Sequence, residues 1–76
     1  MYYVYLIRDN VKKQTYIGYT NNLRRRVNEH KHKKPDLIYY EAYKSEKDAR
    51  RREISLKRRG QTVRRLKERL LDSFAV

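Results

Sequence analysis

The sequence contains no cysteine, few acidic residues and no long apolar stretch. Without cysteine, the chain has neither a disulfide framework nor a thiolate zinc site. No apolar run approaches the length of a membrane span, and the N-terminal residues lack the basic region and cleavage-site pattern of a signal peptide. We therefore expect 76 residues to form one small domain over residues 1–76, with a marginal core and a cytoplasmic, intracellular location.

Basic residues outnumber acidic residues by 21 to 9, which leaves a net charge of +12. An excess of this size favours a polyanionic partner, and nucleic acid is the commonest one. The alternatives are a solvated basic surface and a ribosome-associated tail. The eight tyrosines are expected mainly to pack on strands, because aromatic side chains suit a half-buried pleated surface.

Three strands are predicted from the residue pattern. The first, residues 2–8, is apolar or aromatic on both faces, as expected of a central strand that is covered on both sides. The second, residues 15–19, follows a short polar connection, so the two should form an antiparallel hairpin. Gly18 in the second strand permits the close approach of another backbone or a ligand. The third strand, residues 37–43, follows Pro35, which bars a helix there.

Capping signals predict where the first two helices begin and end. The first helix starts at a cap within residues 20–22 and runs to about His30. The second starts at Ser45, whose spacing to Asp48 is that of a capping box. It ends just before Gly60, which is expected to be its left-handed C′ residue.

A third helix, capped by Thr62, completes the predicted order β-β-α-β-α-α of an α+β domain. Its apolar residues recur at helical spacing and predict a single buried stripe. They are Val63, Leu66, Leu70 and Phe74.

Charged side chains interrupt the apolar faces of the first two helices. Arg26 and His30 lie on the apolar stripe of the first helix, and Glu53 shares the apolar face of the second. A buried carboxylate is costly unless it is paired or bound to a metal. An ion pair with Arg26 or with another arginine is therefore the alternative to a metal ligand at Glu53.

A hairpin with both helices packed on it could bring five polar or charged side chains to one concave site. They are Tyr5, Tyr16, Arg26, His30 and Glu53. This set suits phosphodiester chemistry. Mg²⁺ commonly uses one or two carboxylates together with water and phosphate, and an arginine can stabilise charge on phosphoryl oxygens. A tyrosine can accept or relay the proton of a water molecule, and a histidine can orient a phosphate or transfer a proton.

The spacing of these residues resembles that of the GIY-YIG nuclease domain, over nearly the whole chain. Residues 3–5, Tyr-Val-Tyr, resemble the first motif in the form found in small stand-alone bacterial members, and residues 16–18, Tyr-Ile-Gly, resemble the second. Arg26 and His30 follow at the family's spacing. Glu53 falls where the family has its metal ligand.

The resemblance implies a three-stranded antiparallel sheet flanked by three helices, and an endonuclease that hydrolyses DNA, in repair or recombination for example. It implies a tyrosine base, for which we favour Tyr5, with Tyr16 positioning water or phosphate. Arg26 would be the catalytic arginine and His30 the family's histidine or tyrosine one turn later. Glu53 would hold a single Mg²⁺ or Mn²⁺ ion.

Departures from the family pattern leave other functions open. Arg65 stands where many relatives have a polar side chain, often asparagine, and the segment of residues 31–36 is short for the subgroup. We also expect no attached DNA-binding module, the usual source of specificity in the family. A catalytically weak or inactive nucleic-acid-binding module is thus one alternative, and a nuclease subunit whose specificity comes from a partner protein is another.

Contacts with the DNA backbone are expected from basic residues around this site and along the second helix, and one tyrosine, Tyr19, is a candidate for stacking on a base. These residues are Tyr19, Arg25, Lys31, Lys33, Lys34, Arg52 and Lys57. Contacts of this kind give affinity that falls with salt, and they do not distinguish base sequences.

Overall fold

The structure is a computed structural model that describes residues 1–75, with every side chain among them except that of Lys33. Its three strands, β1 (Tyr2–Asp9), β2 (Gln14–Thr20) and β3 (Pro35–Tyr43), form one antiparallel sheet. The strand order is β2-β1-β3. The prediction that the first strand is central, and that it pairs with the second as a hairpin, is therefore confirmed.

The described residues contain four helical segments in addition to one turn of 3₁₀ helix at Lys31–Lys33. They are α1 (Leu23–Glu29), α2 (Glu46–Arg58), α3 (Gly60–Arg69) and α4 (Leu71–Ala75). The predicted order β-β-α-β-α-α is confirmed, with the last predicted helix divided into α3 and α4. None of these helices has the length and apolar character that a membrane crossing requires.

The predicted ends of the second and third helices are partly wrong. Ser45 is the N-cap residue of α2, but its side chain makes no capping hydrogen bond. Gly60 does not have a positive φ and is instead the first residue of α3, while Arg59, not Thr62, is the N-cap of α3. The physical reason is the tight connection between the helices. One extended residue, Arg59, joins them directly, so α2 ends without a left-handed cap.

The predicted single stripe of the third helix is interrupted at Leu70, which leaves the α-helical conformation. Leu66 is buried, while Val63 and Leu70 are partly buried against the same core. Phe74 lies in α4, and its carbonyl oxygen accepts a hydrogen bond of 2.9 Å from the Arg8 guanidinium of β1. The break allows the last segment to turn toward the sheet and make this bond.

The sheet separates two groups of helices. Val4 of β1 packs with Ala49 and Leu56 of α2 and with Leu66 of α3. Because successive side chains of a strand point to opposite faces, Tyr5 points to the other face, where it contacts residues of α1 and its C-cap. The helices α2 and α3 therefore cover one face of β1, and α1 covers the other.

Candidate active site

Tyr5 is almost fully buried on the α1 face of the central strand, with 3% of its surface exposed. Its partner across the β1–β2 ladder is Gly18. A Cβ atom on Gly18 would lie only 2.2 Å from the Tyr5 hydroxyl oxygen and 2.4 Å from its Cζ. A close approach at Gly18 therefore exists, but the group that approaches is the Tyr5 side chain and not the backbone or ligand that was expected. The absence of a side chain at Gly18 lets the Tyr5 ring lie across β2.

Arg26 contacts the end of the Tyr5 ring. Its Nε donates a hydrogen bond of 3.0 Å to the Tyr5 hydroxyl oxygen, and one terminal nitrogen donates a bond of 3.1 Å to Glu29. The hydrogen bond to Tyr5, followed by that to Glu29, raises the pKa of Arg26. The guanidinium stays charged, and 42% of the side chain remains exposed. It can therefore bind an anion without leaving Tyr5.

His30 completes a cluster with these two residues. It is the C-cap of α1, and the centroid of its ring lies 6.4 Å from that of Tyr5 with a tilt of 58°. The helix that carries Arg26 and His30 begins at Asn22, whose side chain accepts a hydrogen bond from the Arg25 backbone N–H. This cap lies within the predicted range 20–22. The structure thus brings together three of the five predicted site residues, one from β1 and two from α1 and its C-cap.

Tyr16 lies on the same face of the sheet, further along β2. It pairs with Ile7, two residues from Tyr5 along β1, which corresponds to about 7 Å at the usual rise of a strand. Its hydroxyl donates a hydrogen bond of 2.9 Å to the Gln14 side chain. Tyr16 therefore flanks the cluster on the side of the sheet that Tyr5 occupies.

Glu53 lies on α2, which packs on the opposite face of the sheet from Tyr5. Its side chain is 22% exposed, and one carboxylate oxygen lies 3.3 Å from the Lys57 ammonium nitrogen, one helical turn away. The ion pair that was the alternative to a metal ligand therefore exists, although its cation is a lysine. The structure does not place Glu53 in a hydrogen bond or ion pair with Tyr5, Arg26 or His30.

A polar cavity of about 360 Å³ connects Arg26 with the helix that carries Glu53. Its lining residues come from the end of β2, from α1 and from the start of α2. They are Tyr19, Thr20, Asn21, Arg25, Arg26, Glu29, Glu46 and Arg50. Glu46, Arg50 and Glu53 recur at helical spacing on one side of α2. Glu53 thus continues, by one turn, the stripe of α2 that faces this cavity.

Two acidic residues of this cavity were missed by the sequence analysis. Glu29 pairs with Arg26 at 3.1 Å and with Arg25 at 3.7 Å, and Glu46 pairs with Arg50 at 3.3 Å. All three pairs have spacings of three or four residues, at which side chains of a helix are neighbours. That spacing is visible in the sequence and was the signal that could have found them.

The Glu53 carboxylate suits a hard cation that keeps most of its water ligands. Within residues 1–75, leaving out the Lys33 side chain, no group of three or more histidine, aspartate or glutamate side chains could enclose a metal ion. Mg²⁺ does not need such a cage, because it often binds through one or two carboxylates, water and substrate phosphate. One partly buried carboxylate therefore suffices for an ion of this kind.

The residues predicted to contact DNA have different surroundings. The Tyr19 hydroxyl donates to Glu46, its ring stacks on Tyr2 and the Arg50 guanidinium lies 4.7 Å from the ring centroid. Desolvation and the hydrogen bond to Glu46 raise the pKa of Tyr19. Tyr19 is thus part of a packed group beside the cavity, and it is a poor proton acceptor.

The predicted basic contacts also differ in how free they are to bind phosphate. Lys31 and Lys34 are exposed, and Arg25 is exposed but pairs with Glu29. The Lys33 side chain lies outside the described part of the chain. Lys57 is paired with Glu53. Arg52 donates two hydrogen bonds to Glu41 from Nε, at 2.9 and 3.2 Å, and one from a terminal nitrogen at 3.0 Å. Arg52 therefore has a structural role in joining α2 to β3.

The fold and the site define a basic α+β domain with a tyrosine, an arginine and a histidine converging beside a polar cavity. Residues 1–69 match the model of the GIY-YIG catalytic domain. The chain therefore belongs to the GIY-YIG family, whose members are nucleases, and at this level it is a hydrolase whose substrate is nucleic acid. No curated protein and no solved structure matches the chain significantly.

Proposed function

We propose that the chain is a divalent-metal-dependent DNA endonuclease that hydrolyses phosphodiester bonds, with a role in DNA repair or recombination. The observation that carries this proposal is the hydrogen bond of 3.0 Å from Arg26 to the Tyr5 hydroxyl oxygen. This bond pairs the Tyr5 hydroxyl, a potential proton acceptor, with the charged Arg26 guanidinium, and Tyr5 is almost fully buried on the central strand.

In the proposed reaction, the Tyr5 hydroxyl relays a proton: its oxygen takes a proton from the attacking water as its own hydroxyl proton passes to solvent, so Tyr5 stays neutral. The water oxygen bonds to phosphorus, the bond from phosphorus to one ester oxygen breaks, and the leaving oxygen takes a proton from solvent. The Arg26 guanidinium lies beside the Tyr5 oxygen and, with its exposed terminal nitrogens, can donate to the phosphoryl oxygens as charge grows on them. Tyr16 would position water or phosphate from the same face of the sheet.

His30 and Glu53 have the two remaining roles. The His30 ring lies against Tyr5 and can orient a phosphate or transfer a proton. Glu53 would hold one Mg²⁺ or Mn²⁺ ion, with Lys57 giving up its ion pair. Such an ion neutralises phosphoryl charge and lowers the pKa of bound water.

The test is the cleavage of labelled duplex, branched and single-stranded DNA with Mg²⁺ or Mn²⁺, comparing the wild type with Glu53→Ala. We expect Glu53→Ala to abolish cleavage and to keep DNA binding, because binding rests mainly on the basic surface. Asp48→Ala is the matched control, since it removes a carboxylate from the same helix, where Asp48 forms an exposed pair with Arg51. This control should cleave as the wild type does.

Two outcomes would contradict the proposal. Cleavage by Glu53→Ala at the wild-type rate would remove Glu53 from the site. Tight, salt-sensitive DNA binding by the wild type without cleavage of any substrate would favour the binding module or the partner-dependent subunit. The ion pair of Glu53 with Lys57 supports these alternatives, because the carboxylate that would bind the metal ion already has a partner.

A further inference from the structure

Two adjoining hollows form a groove where α2 meets α3. One, of about 380 Å³, is lined by Arg59, Gly60, Gln61, Thr62 and Arg65. The other, of about 200 Å³, is lined by Arg52, Thr62, Arg65, Leu66 and Arg69. The hollows adjoin, because Thr62 and Arg65 line both. We call this surface the α3 groove.

The α3 groove is lined by four arginines and by no acidic residue. Most arginines of α1 and α2 are paired with an acidic residue. Arg25, Arg26, Arg50, Arg51 and Arg52 each have a carboxylate within 4.0 Å, and of these only Arg52 also lines the groove.

Three arginines of the groove differ from these. Among the described side chains, Arg59, Arg65 and Arg69 form no such pair. Arg65 and Arg69 are four residues apart on α3, a spacing at which like charges on a helix repel each other. An anion bound in the groove would remove that repulsion.

The donors of the groove suit phosphate. The planar guanidinium group can donate two parallel hydrogen bonds to phosphate oxygens, and the Thr62 hydroxyl and Gln61 amide offer further donors. Arg65 and Arg69 are one helical turn apart, so they can contact different phosphates along a strand. The several cations of the groove fit a polynucleotide backbone better than a single small anion.

The α3 groove lies on the other side of the sheet from the cluster of Tyr5, Arg26 and His30. Leu66, which lines the groove, packs with Val4 on the face that is opposite to Tyr5. The groove therefore lies on the opposite face of the sheet from the Tyr5 ring, whereas the cavity that Arg26 lines lies between α1, the end of β2 and the start of α2.

We propose that the α3 groove binds backbone phosphates of a DNA segment other than the one that is cleaved. This inference rests on the proposed function for the identity of the cleaved segment. It predicts a substrate that reaches both sides of the protein, by bending, by branching or by its length. The contacts are to phosphates, so they add affinity and place the substrate without reading its base sequence.

The test measures binding to a labelled duplex of roughly 30 base pairs without divalent metal, at several salt concentrations. The double substitution Arg65→Gln with Arg69→Gln removes two phosphate contacts. The plot of log binding constant against log salt concentration, whose slope is negative, should become less steep by about 2. Replacement of both arginines by lysine keeps the charge and should restore most of the slope. Comparison of unfolding midpoints verifies that each variant is folded.

The matched control removes the same charge from the exposed β1–β2 turn, by Lys12→Gln with Lys13→Asn. Asparagine is chosen because Lys13 has a left-handed backbone with φ of 58°, which asparagine tolerates. This control should keep the wild-type slope. An unchanged slope in the groove variant would overturn the proposal, and so would an equal loss in the control.

A second measurement separates the groove from the reaction centre. The groove variant should cleave a duplex just long enough to span the cleavage site at the wild-type kcat, while its KM for the long substrate should rise. A fall in kcat on the short duplex would place the groove in the reaction and contradict the proposal. If the wild type cleaves nothing, the nuclease function fails, and the salt slope still decides whether the groove binds DNA.

Discussion

Gly18 is the residue on which the position of Tyr5 depends. A methyl group at Gly18 would overlap the end of the Tyr5 ring, which has no free space because the residue is buried. We expect Gly18→Ala to displace the ring and break its hydrogen bond with Arg26. The free energy of unfolding should fall by about 1–3 kcal/mol, as for other overpacked positions. Cleavage should fall by about 100-fold, since misplacing a reacting group by 1 Å has an effect of this size.

Gly60→Ala is the matched control for that substitution, because a Cβ atom at Gly60 meets nothing within 4 Å. Alanine also favours the helix that begins there, so this variant should be as stable as the wild type or up to about 1 kcal/mol more stable. Chemical unfolding and initial cleavage rates check both variants. Equal effects of the two substitutions would show that the close approach at Gly18 does not place Tyr5.

At the scale of the elements, Glu41 joins β3 to α2. Its carboxylate accepts hydrogen bonds from Arg52, from the Tyr39 hydroxyl at 2.8 Å and from the Tyr43 hydroxyl. Burial alone would raise the pKa of Glu41, but the hydrogen bonds from Arg52, Tyr43 and Tyr39 outweigh it and lower the pKa. Burial and the bond to Glu41 raise the pKa of Tyr43 to about 12, so this donor keeps its proton well into the alkaline range.

The lowered pKa of Glu41 determines how its contribution to stability depends on pH. The contribution is fully present above the unfolded pKa of about 4.3 and is lost as the pH falls through the lower folded value. We expect Glu41→Gln to reduce the free energy of unfolding by about 2 kcal/mol at pH 7, the scale of hydrogen bonds to a charged group. The difference from the wild type should shrink toward pH 3.

Urea unfolding at pH 7 and at pH 3 tests this expectation. Asp48→Ala is again the control, because the exposed pair of Asp48 with Arg51 should contribute less than about 1 kcal/mol at either pH. A Glu41→Gln variant that is as stable as the wild type at pH 7 would mean that burial of the carboxylate offsets all of its hydrogen bonds.

At the scale of the whole molecule, the last helical segment, α4, contacts the end of the first strand, β1. The Arg8 guanidinium of β1 donates to the Phe74 carbonyl oxygen of α4, between residues 66 positions apart. Phe74 is partly buried, whereas Leu71 in the same segment is 69% exposed. We expect Phe74→Ala to lower the free energy of unfolding by about 1–2 kcal/mol, less than for a fully buried phenylalanine. Leu71→Ala should have little effect.

Thermal or chemical unfolding of the two variants tests this difference. Both should keep the wild-type cleavage rate below their melting temperatures, because α4 continues the layer of α3 on the face opposite to Tyr5. A large loss of cleavage by folded Phe74→Ala would show that α4 is coupled to the reaction centre.

Short-range signals in the sequence were sufficient for the order of the elements. Apolar and aromatic side chains on both faces of residues 2–8 predicted a central strand, and the N-cap residue of the first helix, Asn22, lies within the predicted range 20–22. The same short-range signals were insufficient at the connection of α2 and α3. Gly60 carries a strong signal for a helix end, yet Arg59 makes the turn, because packing against the core decides where each helix stops.

The sequence by itself determined the family, the charge of +12 and three residues of the candidate site, because Tyr5, Arg26 and His30 belong to one strand and the helix that follows its hairpin. Only the tertiary structure decided which faces of the sheet the helices cover. That arrangement places Glu53 with Lys57 on the other side from Tyr5. It also leaves three of the four arginines of the α3 groove, Arg59, Arg65 and Arg69, without a carboxylate partner among the described side chains. Spacing along a helix specifies the direction of a side chain, but the packing of that helix on the sheet specifies what the side chain meets.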